Sequence, residues 1–162
     1  MKNNKVCIVT GASRGLGRGI AMVLAQEEGC TVYATARNEE ALKALAEEAT
    51  AGTKGGVVKV CTLDQSDDAA VQDFVEQVKS EENHVDLLVN SAFAGLIAMA
   101  PHFGKPFWER PLSVFDALLN IGLRSAHVEH PCRSADGQEQ NRYRWIVCRR
   151  PKLQLEMIRA GV

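Results

Sequence analysis

Residues 5–17 read KVCIVTGASRGLG, and this stretch decides the fold class of the chain. Its first part, Lys5–Thr10, is a nearly continuous apolar run, as expected for a strand that is covered on both faces. The second part carries three glycines, Gly11, Gly15 and Gly17. Glycines between a strand and a helix permit a tight turn, let a pyrophosphate approach the backbone and allow the helix to start close to the sheet. The stretch therefore predicts a strand–turn–helix unit for a dinucleotide, the alternative being a tight turn that binds nothing.

The next residues repeat the alternation of strand and helix. Further strands are predicted at Thr31–Arg37, Val57–Leu63 and Val85–Val89, and helices at Arg14–Glu28, Glu39–Thr50 and Asp67–Glu82. Asn38 and Ser66 are the expected N-caps of the second and third helices. Such alternation indicates a parallel sheet joined by right-handed crossovers. The predicted fold class is α/β, a Rossmann-type doubly wound parallel sheet.

The pattern loosens beyond Asn90. We expect a loop over Ala94–Pro111 and a helix over Ser113–His127. The apolar face of this helix comprises Phe115, Leu118, Leu119 and Leu123. From residue 129 neither periodicity holds, which predicts a sheet truncated after about four strands and an irregular tail. The chain thus divides into a nucleotide-binding half-domain, residues 1–128, and an irregular basic tail, residues 129–162, that is disordered or out of frame.

Composition and charge exclude several classes of protein. The chain has 162 residues, 46% of them apolar and 24% charged, which is the ordinary profile of a globular protein. A net charge of −1 gives no general attraction to nucleic acid or to an anionic membrane. The charge is divided unevenly, net −4 over residues 1–128 and net +3 over residues 129–162. We expect no transmembrane helix and no signal peptide, because no apolar run is long enough.

Cysteines and histidines give no sign of a disulfide framework or a metal site. The five cysteines are odd in number and lie far apart, which favours a reducing compartment and a cytoplasmic protein. The candidate zinc ligands are His127, His130, Cys132 and Cys148. Their spacing matches no established zinc pattern, so no metal is expected. The Arg-rich tail with Tyr143 and Trp145 has a superficial resemblance to an RNA-binding segment. A disordered end is the preferred interpretation.

The end of the second predicted strand indicates which dinucleotide would bind. An NAD site places Asp or Glu there to accept hydrogen bonds from the ribose 2′-hydroxyl, whereas Arg suits a 2′-phosphate. This chain has Ala36 and Arg37 at that point, and Arg14 adds a second cation in the glycine-rich turn. Either Arg alone could be a solvated surface residue. Together, with no competing acid, they favour NADP(H).

Two motifs resemble the short-chain dehydrogenase/reductase family. TGASRGLG at residues 10–17 matches its Thr-Gly-x-x-x-Gly-x-Gly turn, and LVNSAFAG at residues 88–95 resembles its Asn-Asn-Ala-Gly segment. The resemblance implies a cofactor site made of Gly11, Ser13, Arg14, Gly15, Leu16, Gly17, Arg37, Asp64, Asn90 and Ala92. In it Asp64 meets the adenine, Asn90 braces the central strands and Ala92 lines the nicotinamide ribose. Ser91 replaces the second Asn of the motif, which weakens the local bracing.

The stretch KPFWERPLSVFDALLNIGLRSAHV, residues 105–128, resembles one branch of that family more closely. There Asn120 would be the helix asparagine of a catalytic tetrad, which holds a water in a proton relay to a lysine. Taken alone, Asn120 would be a polar residue of a helix that faces water. The resemblance as a whole extends over residues 5–128.

The sequence holds no Tyr-x-x-x-Lys pair, on which the chemistry of the family depends. A phenol needs a neighbouring cation to serve as a proton donor near neutral pH. Four residues after Tyr33 stands Arg37, and four after Tyr143 stands Val147. The resemblance thus implies an NADP(H)-dependent oxidoreductase of carbonyl or alcohol substrates, here incomplete and inactive, with a tail that arose by a frameshift or mis-splicing.

The alternative is a non-catalytic fragment that binds a nucleotide or a partner. A half-sheet exposes edges and faces that later strands and helices would cover. Such a chain would pair with a full-length subunit or aggregate, so an oligomer is one expected state. The sequence does not identify the substrate of the complete enzyme.

Overall fold

The computed structural model describes residues 5–51, 55–82, 84–128 and 144–147. Its strands are β1 (Val6–Thr10), β2 (Thr31–Ala36), β3 (Val57–Thr62), β4 (Leu87–Asn90) and β5 (Arg144–Val147). Its α-helices are α1 (Gly15–Gln26), α2 (Glu39–Thr50), α3 (Asp68–Glu82), α4 (Gly95–Met99), α5 (Leu112–Leu119) and α6 (Ser125–Val128). Short 3-10 turns cover Ala100–His102 and Phe107–Glu109, and a π-helical turn, Asn120–Arg124, joins α5 to α6.

The five strands form one parallel sheet in the order β3-β2-β1-β4-β5. Ile8 of β1 lies opposite Tyr33 of β2 on one side and opposite Leu88 of β4 on the other. The strand order therefore reverses at β1, between β2 and β4. In open sheets of this kind ligands bind outside the carboxyl ends of the strands at such a point.

Helices pack on both faces of the sheet, as the doubly wound prediction requires. On one face α1 and α2 contribute a buried cluster with β1 and β2, comprising Cys7, Val9, Ile20, Ala21, Leu24, Val32, Ala34, Leu42 and Leu45. On the other face α3 packs against the same strands through Val6, Ile8, Tyr33, Val71, Phe74, Val75, Val78 and Leu88. The predicted fold class is confirmed.

One predicted helix cap is confirmed and one is wrong. The side chain of Asn38 accepts a hydrogen bond from the Ala41 N–H at 2.9 Å, which caps α2. At α3 the capping oxygen belongs to Asp67, whose Oδ1 lies 3.1 Å from two N–H groups of the first turn. The Ser66 hydroxyl donates to Asp64 instead. Both residue types cap helices well, and the turn geometry selects between them.

The sheet extends one strand further than the sequence predicted. Arg144–Val147 pairs in parallel with β4, Leu88 opposite Trp145 and Asn90 opposite Val147. Aromatic and β-branched residues suit a strand, but the three in this stretch, Trp145, Ile146 and Val147, are too few to distinguish it from a polar tail by periodicity. Residues 129–143 and 148–162 lie outside the described residues, and so do the zinc candidates His130, Cys132 and Cys148.

The segment after β4 is more helical than predicted. The expected loop, residues 94–111, contains α4 and two 3-10 turns, and the expected helix is present as the continuous helical segment 112–128. Three of the four residues of its predicted apolar face are exposed, by 56% at Phe115, 40% at Leu119 and 56% at Leu123, while Leu118 is half-buried. Spacing shows which side chains share a face but not what covers it. No helix in the described part of the chain is long and apolar enough to cross a membrane.

Candidate nucleotide-binding site

The glycine-rich turn is packed tightly against the end of β4. Gly11 has a φ of +67°, and a Cβ added there would lie 2.8 Å from Cα of Ala92. At Gly17, in the first turn of α1, an added Cβ would lie 2.5 Å from the carbonyl oxygen of Gly11 and 3.0 Å from Oγ of Ser91. Real Cβ atoms do not approach backbone so closely. These two glycines therefore let α1 begin close to the sheet, which is one of the functions predicted for the motif.

Gly15 is different, because space lies beside it. Its φ is +58°, and an added Cβ would meet nothing within 4 Å. Arg14 before it makes no side-chain cap, and the first turn of α1 holds no acidic residue. The N–H groups at the start of α1 are thus left without a side-chain partner, at the positive end of the helix dipole. This open cradle fits an anion such as a pyrophosphate.

Thr10 connects the glycine-rich turn to the end of β4. Its buried Oγ1 accepts hydrogen bonds from the backbone N–H groups of Ser91 and Ala92, both at 3.2 Å. Sequence analysis did not assign this function, because the partners are about eighty residues apart along the chain. Ser91, where the sequence departs from the family pattern, lies beside Gly17, because a Cβ added at Gly17 would be 3.0 Å from the Ser91 Oγ.

Two cations, Arg14 and Arg37, stand at this edge of the sheet. Arg14 and Arg37 are exposed, and neither forms a hydrogen bond or an ion pair with the residues that the structure describes. Other arginines are engaged: Arg18 pairs with Glu48, and Arg110 donates to the carbonyl oxygen of Lys105. An unpaired guanidinium is available to a phosphate, which it can bind in a bidentate manner.

Asp64 follows β3 and is held as a carboxylate. Its Oδ1 accepts hydrogen bonds from the Ser66 hydroxyl at 2.7 Å and from the Ser66 N–H at 2.9 Å. These bonds, with a smaller contribution from the charge of Arg37, hold the pKa of Asp64 below its usual range. At neutral pH the group is therefore a hydrogen-bond acceptor, which is what the exocyclic amine of an adenine needs.

The remaining predicted residues divide between the sheet and the helical segment. Asn90 ends β4, and its buried Nδ2 has no hydrogen-bond partner among the described residues, so the expected bracing bond is not seen there. Ala92 follows at the same edge, beside Gly11. Asn120 lies apart, at the start of the π-helical turn, and is exposed. The structure thus brings the predicted cofactor residues to the carboxyl ends of β1, β2, β3 and β4.

Tyr33 is engaged in the core and is not a candidate proton donor. Its ring is 1% exposed, and its hydroxyl lies 2.6 Å from Nζ of Lys59. The carboxylates of Glu81 and Glu82 lie 2.7 and 2.8 Å from the same hydroxyl. Lys59 also pairs with both glutamates. These four groups satisfy one another between β2, β3 and the end of α3.

Comparison with known proteins shows the family of the chain. The sequence model of the short chain dehydrogenase family matches residues 5–128. The chain belongs to this family. It is 44% identical over 125 residues to dehydrogenase/reductase SDR family member 1 of Mus musculus, and this covers 76% of the chain and 39% of the relative. The branch that residues 105–128 resemble is the one to which that relative belongs, so the predicted resemblance is confirmed.

Solved structures of family members share the fold. A metagenomic short-chain oxidoreductase in complex with NADP has 33% identity and a TM-score of 0.67, over 79% of this chain and 54% of that one. An NAD+-bound xylitol dehydrogenase has 28% identity and a TM-score of 0.66, over 82% and 48%. Structures similar to this chain therefore hold either dinucleotide, and the chain spans about half the length of these two.

Proposed function

We propose that this chain binds NADP(H) at the start of α1, in the manner of an oxidoreductase that acts on carbonyl or alcohol substrates. The observation that carries the proposal is the open space beside Gly15, where uncapped N–H groups of α1 meet. Arg14 and Arg37 supply positive charge, and neither guanidinium is held by a hydrogen bond or an ion pair in the described part of the chain. A dinucleotide with an additional phosphate fits that charge better than one without.

Each predicted residue has a distinct task in this site. The backbone from Ser13 to Leu16 binds the pyrophosphate, and the two arginines bind the 2′-phosphate. Asp64 accepts a hydrogen bond from the adenine, and Asn90 and Ala92 stand on the nicotinamide side. When bound, the cofactor supplies the hydride, while the protein binds and orients it.

We also propose that the 162 residues bind the cofactor without turning over a substrate. Asn120 is the single residue in this sequence that the family pattern assigns to proton relay. Tyr33, one of two tyrosines in the sequence, is buried among Lys59, Glu81 and Glu82. No group in the described residues thus has the position of a phenol activated by a nearby lysine in an open cleft.

The thiols of the described residues support our proposal that the protein is cytoplasmic. Cys7 and Cys30 are free and buried in the core, and Cys61 is free and half-buried. Free thiols persist in a reducing environment, so we place the protein in the cytoplasm.

Fluorescence titration of NADPH with the purified chain tests cofactor binding. We expect saturable binding, and weaker binding of NADH. Arg37→Ala should raise the Kd for NADPH about tenfold, because a charge-assisted hydrogen bond contributes roughly 1.5–3 kcal/mol, and should leave the Kd for NADH unchanged. Arg18→Ala is the matched control, since Arg18 already pairs with Glu48. A preference for NADH, or no saturable signal, would contradict the proposal.

A second function, binding of a longer family member, is favoured by the exposed apolar side chains of the helical segment 112–128. Leu112, Phe115, Leu119 and Leu123 are 79, 56, 40 and 56% exposed. Exposed apolar stripes of this kind mark sites of association. The mouse relative continues well beyond the part that this chain matches, so a longer subunit has additional surface to cover the stripe.

Sedimentation of the chain mixed with the purified mouse relative tests this second function. We expect a complex that Leu119→Lys abolishes and that Val57→Lys leaves intact. Val57 is the matched control, because it is 50% exposed on β3, away from the stripe. Separate sedimentation of the two proteins, or equal effects of the two variants, would refute the association.

A further inference from the structure

Gln65 is a buried amide in the turn between β3 and α3. Gln65 is 6% exposed, and its Nε2 donates a hydrogen bond to the hydroxyl of Thr35 at 3.2 Å. Thr35 is fully buried near the end of β2. Oε1 of Gln65 is buried as well, and no group in the described ranges of the chain hydrogen-bonds to it. Nothing in the sequence marked this residue, because a single Gln after a strand carries no pattern.

The bond to Thr35 fixes where the turn lies. At its two ends the turn is bonded to its surroundings: the Leu63 N–H donates to the Ala36 carbonyl of β2 at 3.0 Å, and Asp67 caps α3. Between these ends the other hydrogen bonds are internal, since Ser66 donates twice to Asp64 and the Asp67 N–H donates to the Asp64 carbonyl. Internal bonds determine the shape of a turn but not its place on the sheet. Among the described residues, the hydrogen bond that ties Asp64, Gln65 and Ser66 to another strand is the one from Gln65 to Thr35.

The stability of the fold does not explain why an amide side chain stands at position 65. A buried polar atom without a partner costs free energy that an apolar side chain of similar size avoids. A methionine or leucine would fill the same space, and it would remove both the unmet oxygen and the bond to Thr35. Retention of the amide is therefore better explained by what the bond holds in place.

We propose that Gln65 is a positioning residue for the adenosine end of the cofactor: it holds the turn against β2 so that the carboxylate of Asp64 faces the adenine. This inference rests on the proposed cofactor site. The side chain of Gln65 is bonded to Thr35 inside the fold. It acts through Asp64, whose carboxylate would otherwise move with a turn that is fastened only at its two ends.

Two independent measurements on the full chain test the proposal. The first is calorimetric titration with adenosine 2′,5′-bisphosphate, which contains the adenosine end alone. Gln65→Met and Thr35→Val should each weaken binding about fivefold, the equivalent of one ordinary hydrogen bond. Thr35→Ser keeps the hydroxyl and should bind like the wild type. The double variant should bind no more weakly than either single variant, because both remove the same bond.

The second measurement needs no cofactor. Amide hydrogen exchange at Asp67, whose N–H is bonded to the Asp64 carbonyl, should be faster in Gln65→Met and Thr35→Val, while exchange within α1 stays unchanged. Unchanged exchange at Asp67 in both variants would overturn the positioning role. So would a lower melting temperature of Gln65→Met with wild-type affinity. If the wild type binds no nucleotide, the proposed function fails, and the exchange at Asp67 still decides the role of Gln65.

Discussion

Replacing Gly17 by alanine adds one methyl group to α1 at a point where the structure has no room for it. The new Cβ would lie 2.5 Å from the carbonyl oxygen of Gly11 and 3.0 Å from Oγ of Ser91. The first neighbour is backbone of the glycine-rich turn, which cannot rotate away. Gly19, two residues further along the same helix, provides a matched control, because an added Cβ there meets nothing within 4 Å.

The two substitutions should have opposite effects on the free energy of unfolding. Alanine in place of glycine stabilises a helix interior by about 1 kcal/mol, and Gly19→Ala should show this gain in full. At Gly17 the same gain is opposed by overpacking, which typically costs about 1–3 kcal/mol and should fall at the upper end against backbone. The net effect of Gly17→Ala is then a loss of roughly 2 kcal/mol, so the variants differ by about 3 kcal/mol.

Urea denaturation followed by circular dichroism measures both variants. Gly17→Ala should also lose NADPH binding, since the turn must open to admit the methyl group, whereas Gly19→Ala should bind like the wild type. If Gly17→Ala were as stable as Gly19→Ala, the close approach of α1 to the turn would be wrong, and with it the geometry of the site.

Two further substitutions test local features of the fold. Asn38→Ala should destabilise the chain by about 1 kcal/mol in the same urea assay, because it removes the cap of α2; Asn38→Asp should retain most of the stability. Lys59→Met should flatten the loss of stability in acid. Hydrogen bonds from Lys59 lower the pKa of Glu81 from 4.5 to about 2 and also lower that of Glu82. Between these two pKa values of Glu81 the unfolded chain binds more protons than the folded one, so the stability of the wild type falls as the pH falls. An equally steep fall of stability in Lys59→Met would contradict the ion-pair assignment.

Local sequence signals predicted the first half of the fold and named most residues of the candidate site. Neighbours close in the chain determine the glycine-rich turn, the cap at Asn38 and the strands that follow. Local sequence patterns therefore predict these elements. Ser66 was predicted as the cap of α3, but Asp67 caps it. Both residue types cap helices, and which of two adjacent side chains reaches the first N–H groups depends on the turn geometry.

Contacts between distant segments could not be predicted. Thr10 reaches the end of β4, and Tyr33 meets Lys59 and the end of α3, across intervals that no periodicity encodes. The spacing of Phe115 and its neighbours predicted which side chains of the helical segment 112–128 share a face, but not that Phe115, Leu119 and Leu123 are exposed. An apolar stripe has the same pattern whether it is covered by its own chain or available to another.

The central claim is that the start of α1 binds the phosphates of NADP(H), and amide NMR shifts during titration with NADP+ test it most directly. We expect saturable shifts at the amides of Gly15 and Leu16, with parallel shifts at Arg37 and Asp64. The amides of α5 should stay in place and serve as the internal control. Saturable shifts confined to α5, or none at Gly15 and Leu16 at any concentration of NADP+, would contradict the account.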